Sequence, residues 1–370
     1  MPKRAYEGHG LAGLWADLTD RLHKDYGRAN ARLGFLRPPA GTGRVLWIKT
    51  DDDRAHARLA VETARAVRER RQDVRLVVTF EDEYPEGWAQ LDKLARTGYG
   101  FGPADRAAAT ERVLGRLAPA GVIAIGGALR PELASALTRN KVPCCALHGL
   151  PPEAAIHCHG FPNTLSEREA WKGRPQSDAA FFSLMAEAQV EPTFSGVAGA
   201  HARALWWLTD PDPGVVDGQV RSWRRSKLAA SDILFVGTRC ADAIALSAWD
   251  RERQPLPQGA VVWVDEARFW PALAASCHGL HLSRPPEPLL WAAIGGGRVV
   301  SAERPGDLDL LRPAPIPEIG GRELWAYWQT VVAEPATARA TADGLRRYFW
   351  EERRRAAAVT ETLLQMVYHW

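Results

Sequence analysis

Within six residues the chain places three carboxylates and an imidazole: Asp51, Asp52, Asp53 and His56 in "VLWIKTDDDRAH". Such groups do general acid–base work when held within reach of a reacting hydroxyl. They also have a structural use, because Asp is a favoured helix N-cap and more Asp in the first turn complements the helix dipole. Both readings rest on the same letters. "HCHG", residues 157–160, offers metal-ligand side chains without a second pair at a readable spacing. A polar loop is the simpler reading, and no metal or other cofactor is expected.

The elements around the carboxylates say where they sit. Val45, Leu46, Trp47 and Ile48 form a short apolar run, and Ala55 to Arg70 carries Leu59, Val61, Ala64 and Val67 as a helical stripe. The aspartates therefore occupy a strand-to-helix turn, the place where open α/β sheets bind ligands. Strands then alternate with helices through "DVRLVVTF", "GVIAIGG", "RPELASALTRN" and "VPCCALHG", which argues for a parallel sheet covered on both faces. After the Pro/Gly/Asp-rich "TDPDPG" the alternation restarts with "DILFVGT", "AVVWVD", "HGLHLS", "EPLLWAAIGGG" and "RVVSAE". The fold class expected is α/β with two Rossmann-like domains and a helical tail. The expected boundaries are 1–43 for an amphipathic lead-in, 44–208 for the first domain, 209–231 for a linker, 232–320 for the second domain and 321–370 for the tail.

At 370 residues, 46% hydrophobic and 25% charged, the chain has the composition of a globular protein of two ordinary domains. Its 47 basic and 44 acidic residues, net +3, give no reason to expect a nucleic-acid partner. Basic clusters such as "RSWRRSK" read as solvated faces. Five scattered cysteines fit a reducing compartment. With no apolar run of about 20 residues and no signal-peptide core, the expected location is cytoplasmic. The helix pattern of residues 11–33 can dock on its own domain or lie on a membrane surface, so peripheral contact with the inner membrane is the alternative. The 15 tryptophans, large rings often at helical spacing, read as core and not as sugar contacts.

Two such domains, a short linker and a long helical tail resemble the GT-B glycosyltransferases. The segments "ARLGFLRPPAGTGRVLWIKTDDDRAH", "VRLVVTF", "GVIAIGGALRPEL", "NKVPCCAL", "VGTRCADAIALSAWDR" and "EPLLWAAIGGGRVV" resemble, in order and spacing, motifs of the Kdo (3-deoxy-D-manno-octulosonic acid) transferases. That likeness implies transfer of an acidic sugar from a CMP-linked donor to a glycan or glycolipid acceptor, by metal-independent inversion, with the first domain on the acceptor side.

The departures are as informative. In that alignment the family's catalytic glutamate falls on Ala55, its histidine on Lys49, the two glutamates beside its "lWP" motif on Gly126 and Ala128, its tryptophan on Arg130 and a nucleotide-side glutamate on Leu290. Lys49 and Arg130 are thereby placed on the acceptor side. The base must come from nearby, with Asp53 the first candidate, Asp52 or His56 next, and Asp51 beside them. On the donor side, Gly237, Thr238 and Arg239 end a strand as a phosphate-contacting turn, Arg284 can meet a phosphate or a sugar carboxylate, and Glu287 can stand in for the missing glutamate. A solvated Arg284–Glu287 pair is the competing reading. The loss of several acids also leaves a non-catalytic protein that binds a nucleotide or a protein partner as the alternative. Nucleotide-sugar epimerisation shares the architecture but not the motifs.

Overall fold

The computed structural model describes residues 19–20, 22, 25–177, 204–209, 212–252, 256–266, 269, 273, 276–283, 299–310 and 314–370. They divide into two compact units, Met1–Ser183 with Arg355–Trp370, and Leu184–Arg354. Most of the expected lead-in helix, the "EPLLWAAIGGG" helix, Arg284 and Glu287 lie outside the described residues.

The first unit is built on a parallel sheet of β1 (Val45–Thr50), β2 (Arg75–Phe80), β3 (Thr97–Phe101), β4 (Pro119–Ile125), β5 (Cys144–Leu147) and β6 (His159–Phe161), in the order β3-β2-β1-β4-β5-β6. Every residue of β1 is buried, as a strand covered on both faces requires. The chain leaves β1 in one direction and returns to β4 on its other side, so β1 and β4 flank the topological switch point. Their register pairs Thr50 with Ile125, and Asp51 therefore emerges next to Gly126 and Gly127. Helix α1 (Tyr26–Arg32) precedes the sheet, and α2 (Arg54–Arg70) follows β1 with the expected Leu59, Val61, Ala64 and Val67 all buried. The edge strands β3 and β6 escape the sequence pattern because "TGYGF" and "HGF" carry glycines and no apolar run. His159 of the expected polar loop lies in β6, and its Nε2 is 2.8 Å from Ser177 Oγ.

The second unit carries β7 (Leu205–Leu208), β8 (Ile233–Val236), β9 (Ile244–Ala245), β10 (Val261–Trp263), β11 (Gly279–Leu282) and β12 (Val299–Ala302), again parallel, in the order β12-β11-β7-β8-β10-β9. This corrects two expected boundaries. Residues 205–208 are a fully buried strand of the second sheet, and the expected linker is largely a helix, Pro213–Arg225. The Asp-Pro-Gly cluster is a helix start: Asp212 accepts from Gly214 N at 2.7 Å, Pro213 fills the first turn, and Val216, Val220 and Trp223 point inward.

The tail is corrected too. Trp325 and Trp328, on the helix Leu324–Ala333, belong to the second unit's core, where Trp328 stacks on Trp206 with ring centroids 4.6 Å apart. Only the end of the last helix, Pro335–Tyr368, belongs to the first unit. There Arg71 donates to the carbonyls of Val367 and Tyr368 at 3.0 and 2.9 Å. Among the described residues no helix is long and apolar enough to cross a membrane.

Candidate functional site

At the carboxyl edge of the first sheet the three aspartates take three different positions. Asp53 is the N-cap of α2, its Oδ1 accepting from Ala55 N at 2.7 Å and His56 N at 3.3 Å. Asp53, the first candidate base in the sequence, is exposed and its carboxylate serves the helix start. Asp52 is half-buried beside it. Asp51 faces the other way: its Oδ1 lies 2.9 Å from His56 Nδ1 and accepts from Asp53 N at 3.1 Å, and its Oδ2 accepts from Gly127 N at 2.6 Å.

The result is a carboxylate–imidazole pair laid over the glycine turn that ends β4. Gly126 has φ +66°, and a Cβ there would run into both His56 Nδ1 and Asp51 Oδ2. Gly149, after β5, is as constrained, since a Cβ would strike the carbonyl of Gly126. A side chain at Gly126 would push the pair apart, and one at Gly149 would displace the Gly126 turn beneath it.

The electrostatics follow from this packing. Burial opposes the Asp51 charge, yet the His56 hydrogen bond and charge, with the N–H groups of Gly127 and Asp53, hold its carboxyl below the usual range. Burial likewise opposes a charged His56, but the hydrogen bond to Asp51 and the charges of Asp51, Asp53 and Glu167 raise it above its ordinary value. With Nδ1–H directed at Asp51, Nε2 is the nitrogen that takes up a proton. Behind the pair stands His148, whose ring centroid is 6.0 Å from that of His56. Burial, with the His56 charge, pushes His148 down to about 3, so it stays neutral.

A second polar cluster lies alongside. Glu81, directly after β2, accepts from Lys49 Nζ at 3.1 Å and Arg130 Nη2 at 2.7 Å. Burial raises the Glu81 carboxyl, while the charges of Lys49 and Arg130 pull the other way. The structure thus brings together the two expected acceptor-side residues, but it commits both to Glu81 and encloses Lys49, only 3% exposed. Asp105 accepts from the N–H groups of Glu132 and Leu133, at 3.3 and 3.1 Å, and caps the helix that follows Arg130.

Glu81, Gly126, Gly149 and His148 adjoin this candidate site and were not among the candidates read from the sequence. The one signal for them was the pair of glycines closing "GVIAIGG", directly where β4 hands over to its loop.

In the second unit, Gly237, Thr238 and Arg239 follow β8 at the carboxyl edge of its sheet. Gly237 N donates to the Leu208 carbonyl at 2.8 Å, and the exposed Arg239 guanidinium lies over the Trp263 ring, 5.5 Å from its centroid.

No protein-family model matches the chain, and no curated protein matches it either. Solved structures do. UDP-GlcNAc 2-epimerase from Neisseria meningitidis bound to UDP-GlcNAc matches with TM-score 0.58 at 11% identity, over 87% of this chain and 100% of that one. Anabaena Alr3699/HepE in complex with UDP and glucose matches with TM-score 0.56 at 12% identity, over 89% and 100%. The S. aureus MnaA–UDP structure matches with TM-score 0.53 at 10% identity, over 86% and 97%. At such identities the likeness is one of fold: two parallel-sheet Rossmann-like domains with helices, the composition of GT-B proteins.

Proposed function

We propose that the chain is a nucleotide-sugar-dependent transferase in which His56, held by Asp51, is the general base. The observation that carries the reading is the Asp51–His56 pair at the β1/β4 switch point. In the transfer, an acceptor hydroxyl of a glycan or glycolipid gives its proton to His56 Nε2 while its oxygen bonds to the anomeric carbon. The bond from that carbon to the donor's phosphate oxygen breaks, its electron pair leaves with the nucleotide, and the configuration inverts. Asp51 fixes the tautomer and balances the imidazolium. The reading assigns no step to a metal. Gly237, Thr238 and Arg239 are the described residues offered to the nucleotide, with Arg284 and Glu287 offered from the sequence alone.

Two donor classes are in view. The similar solved structures hold UDP or UDP-GlcNAc by their descriptions, whereas the sequence motifs resemble transferases that use CMP-Kdo. A thermal-shift screen of UDP-, GDP- and CMP-sugars, CMP-Kdo included, separates them, because a ligand bound only by the folded chain raises its melting temperature. The accepted donor is then incubated with glycan and glycolipid acceptors. His56→Ala should cut nucleotide release per folded molecule by about 10² to 10⁴. Equal rates in the variant and the parent protein would remove His56 from the reaction.

One observation favours a second reading. Ala55, Gly126 and Ala128 stand where the resemblance puts carboxylates, as a protein that binds its nucleotide without turnover would have them. Donor binding with no nucleotide release and no altered sugar, across all acceptors, is the outcome that reading expects. An altered sugar still joined to its nucleotide would mean epimerisation.

A further inference from the structure

The second unit contains a cavity of about 850 Å³ at the end of its sheet opposite Gly237–Arg239, where Ala204, Asp232, His278 and Val299 open or precede β7, β8, β11 and β12. The four residues of β8 separate the two edges by roughly 13 Å. The volume falls in the range of small-molecule sites, about 300–1,000 Å³. Its floor is apolar: Leu228, Val299 and the edge of Trp206, an indole fixed by stacking on Trp328 and by donating Nε1–H to Asp232 Oδ2 at 2.8 Å.

The polar groups around this floor are not balanced. Asp232, the cavity's carboxylate, already accepts from Trp206 and, at 2.6 Å, from the Ser231 hydroxyl. Lys227 and Arg339 line the same cavity, both exposed, and neither has an ion-pair partner among the described residues. His278, whose Nδ1 accepts from Leu205 N at 3.1 Å, closes the rim. Two cations thus flank an apolar floor, and the one acid among the described lining residues is engaged.

We infer that this cavity binds an amphipathic anion of small-molecule size, a carboxylate, sulfonate or phosphate head on an apolar body, with Lys227 and Arg339 taking the head and Leu228, Val299 and Trp206 the body. On the proposed reading, which offers Gly237–Arg239 to the nucleotide, this ligand is distinct from the sugar donor, because it sits at the opposite edge of the sheet.

The probe is 8-anilinonaphthalene-1-sulfonate, whose fluorescence rises on transfer to an apolar site, titrated into the folded full chain. Decanoate and decyl phosphate should displace it at least tenfold more effectively than decanol or decyltrimethylammonium of the same chain length. Naphthoate run alongside decanoate separates a ring body from a chain body. The double variant Lys227→Ala/Arg339→Ala changes two exposed side chains and should weaken the probe at least tenfold at unchanged melting temperature. Ala338→Trp, which fills the cavity, should abolish the bright site. If Ala338→Trp does not fold, the double variant decides. Displacement by decanol equal to that by decanoate, or a double variant that binds like the parent protein, would overturn the inference.

Discussion

At the carboxyl edge of the first sheet, buried and half-buried charges are each tied to a named partner: Asp51 to His56 and Gly127, and Glu81 to Lys49 and Arg130. Beside β7 in the second unit the interior is indole instead, with Trp223 and Trp325 at 5.4 Å, Trp325 and Trp328 at 5.3 Å, and Trp328 stacked on Trp206. Among the described residues, the buried indole N–H groups of Trp223, Trp325 and Trp328 have no hydrogen-bond partner. The packing of large rings there outweighs the cost of unmet donors, whereas at the first sheet's edge no such cost is left on Asp51 or Glu81. The contrast separates an apolar core that maximises stability from a polar network that holds groups in one arrangement.

Two substitutions should break that contrast most strongly. Trp328→Ala removes a fully buried ring from the indole cluster and should lower unfolding stability by about 3–5 kcal/mol. Glu81→Gln leaves Lys49 and Arg130 facing a neutral group in the interior, and breaking a buried pair from one side costs about 3–5 kcal/mol as well. Denaturant melts of the two variants measure both effects. The kinds differ in how they are rescued. Replacing Lys49, Glu81 and Arg130 together by apolar residues of similar size should restore most of the loss, while no second substitution near Trp328 refills its volume as well as the ring. If the apolar triple variant stays as unstable as Glu81→Gln, the cluster does more than balance its own charges.

The pH dependence sharpens the comparison, since the indole rings themselves do not titrate. His56 is raised above its ordinary 6.5, so its contribution to stability is fully present below 6.5 and is lost as pH rises through the raised value. Asp51 is lowered below its ordinary 3.8, so its contribution is present above 3.8 and is lost as pH falls through the lowered value. In a transfer assay the rising limb, which reports deprotonation of His56, should lie above 6.5. Asp51→Asn should move that limb to lower pH and flatten the fall of stability on the alkaline side. A limb that Asp51→Asn leaves in place would assign the titration to another group.

How far these features can be read in the sequence depends on their range along the chain. "VLWIKTDDDRAH" shows the strand, the turn and the helix directly, so the position of the carboxylates at a ligand edge is legible. The division of labour among them is not, because Asp51 is oriented partly by Gly127, 76 positions away, and Glu81 meets Arg130 across 49. The boundary near residue 209 fails for a local reason: Asp212-Pro213-Gly214 serves equally as a linker and as a helix start, and only the inward stripe of Val216, Val220 and Trp223 tells them apart. The edge strands β3 and β6 lack the apolar run that identifies β1 and β4. Trp47, Trp171, Trp206, Trp207, Trp223, Trp325 and Trp328 are core as read, whereas Trp350 on the tail is exposed, and the unit whose core each fills is set by packing that no spacing announces.

The smallest expected effect tests the finest distinction, between Asp53 and Asp51, two residues apart. Asp53→Ala removes an exposed cap that accepts two backbone N–H groups at the start of α2, and loss of such a cap costs about 1 kcal/mol. Because Ala55 and His56 are the groups it holds, some loosening of the His56 backbone is expected, yet the Asp51–His56 contact is made by side chains and should persist. Turnover per folded molecule should therefore stay within a few-fold of the parent protein, and Asp53→Ser, another good cap, should restore stability. Asp51→Ala should do the reverse, leaving the helix start capped while freeing the imidazole to rotate. Melting curves and transfer rates on the three variants distinguish the two roles. A large rate loss in Asp53→Ala that Asp53→Ser fails to rescue would return the base to Asp53, and the pair over the glycine turn would then be only a structural contact.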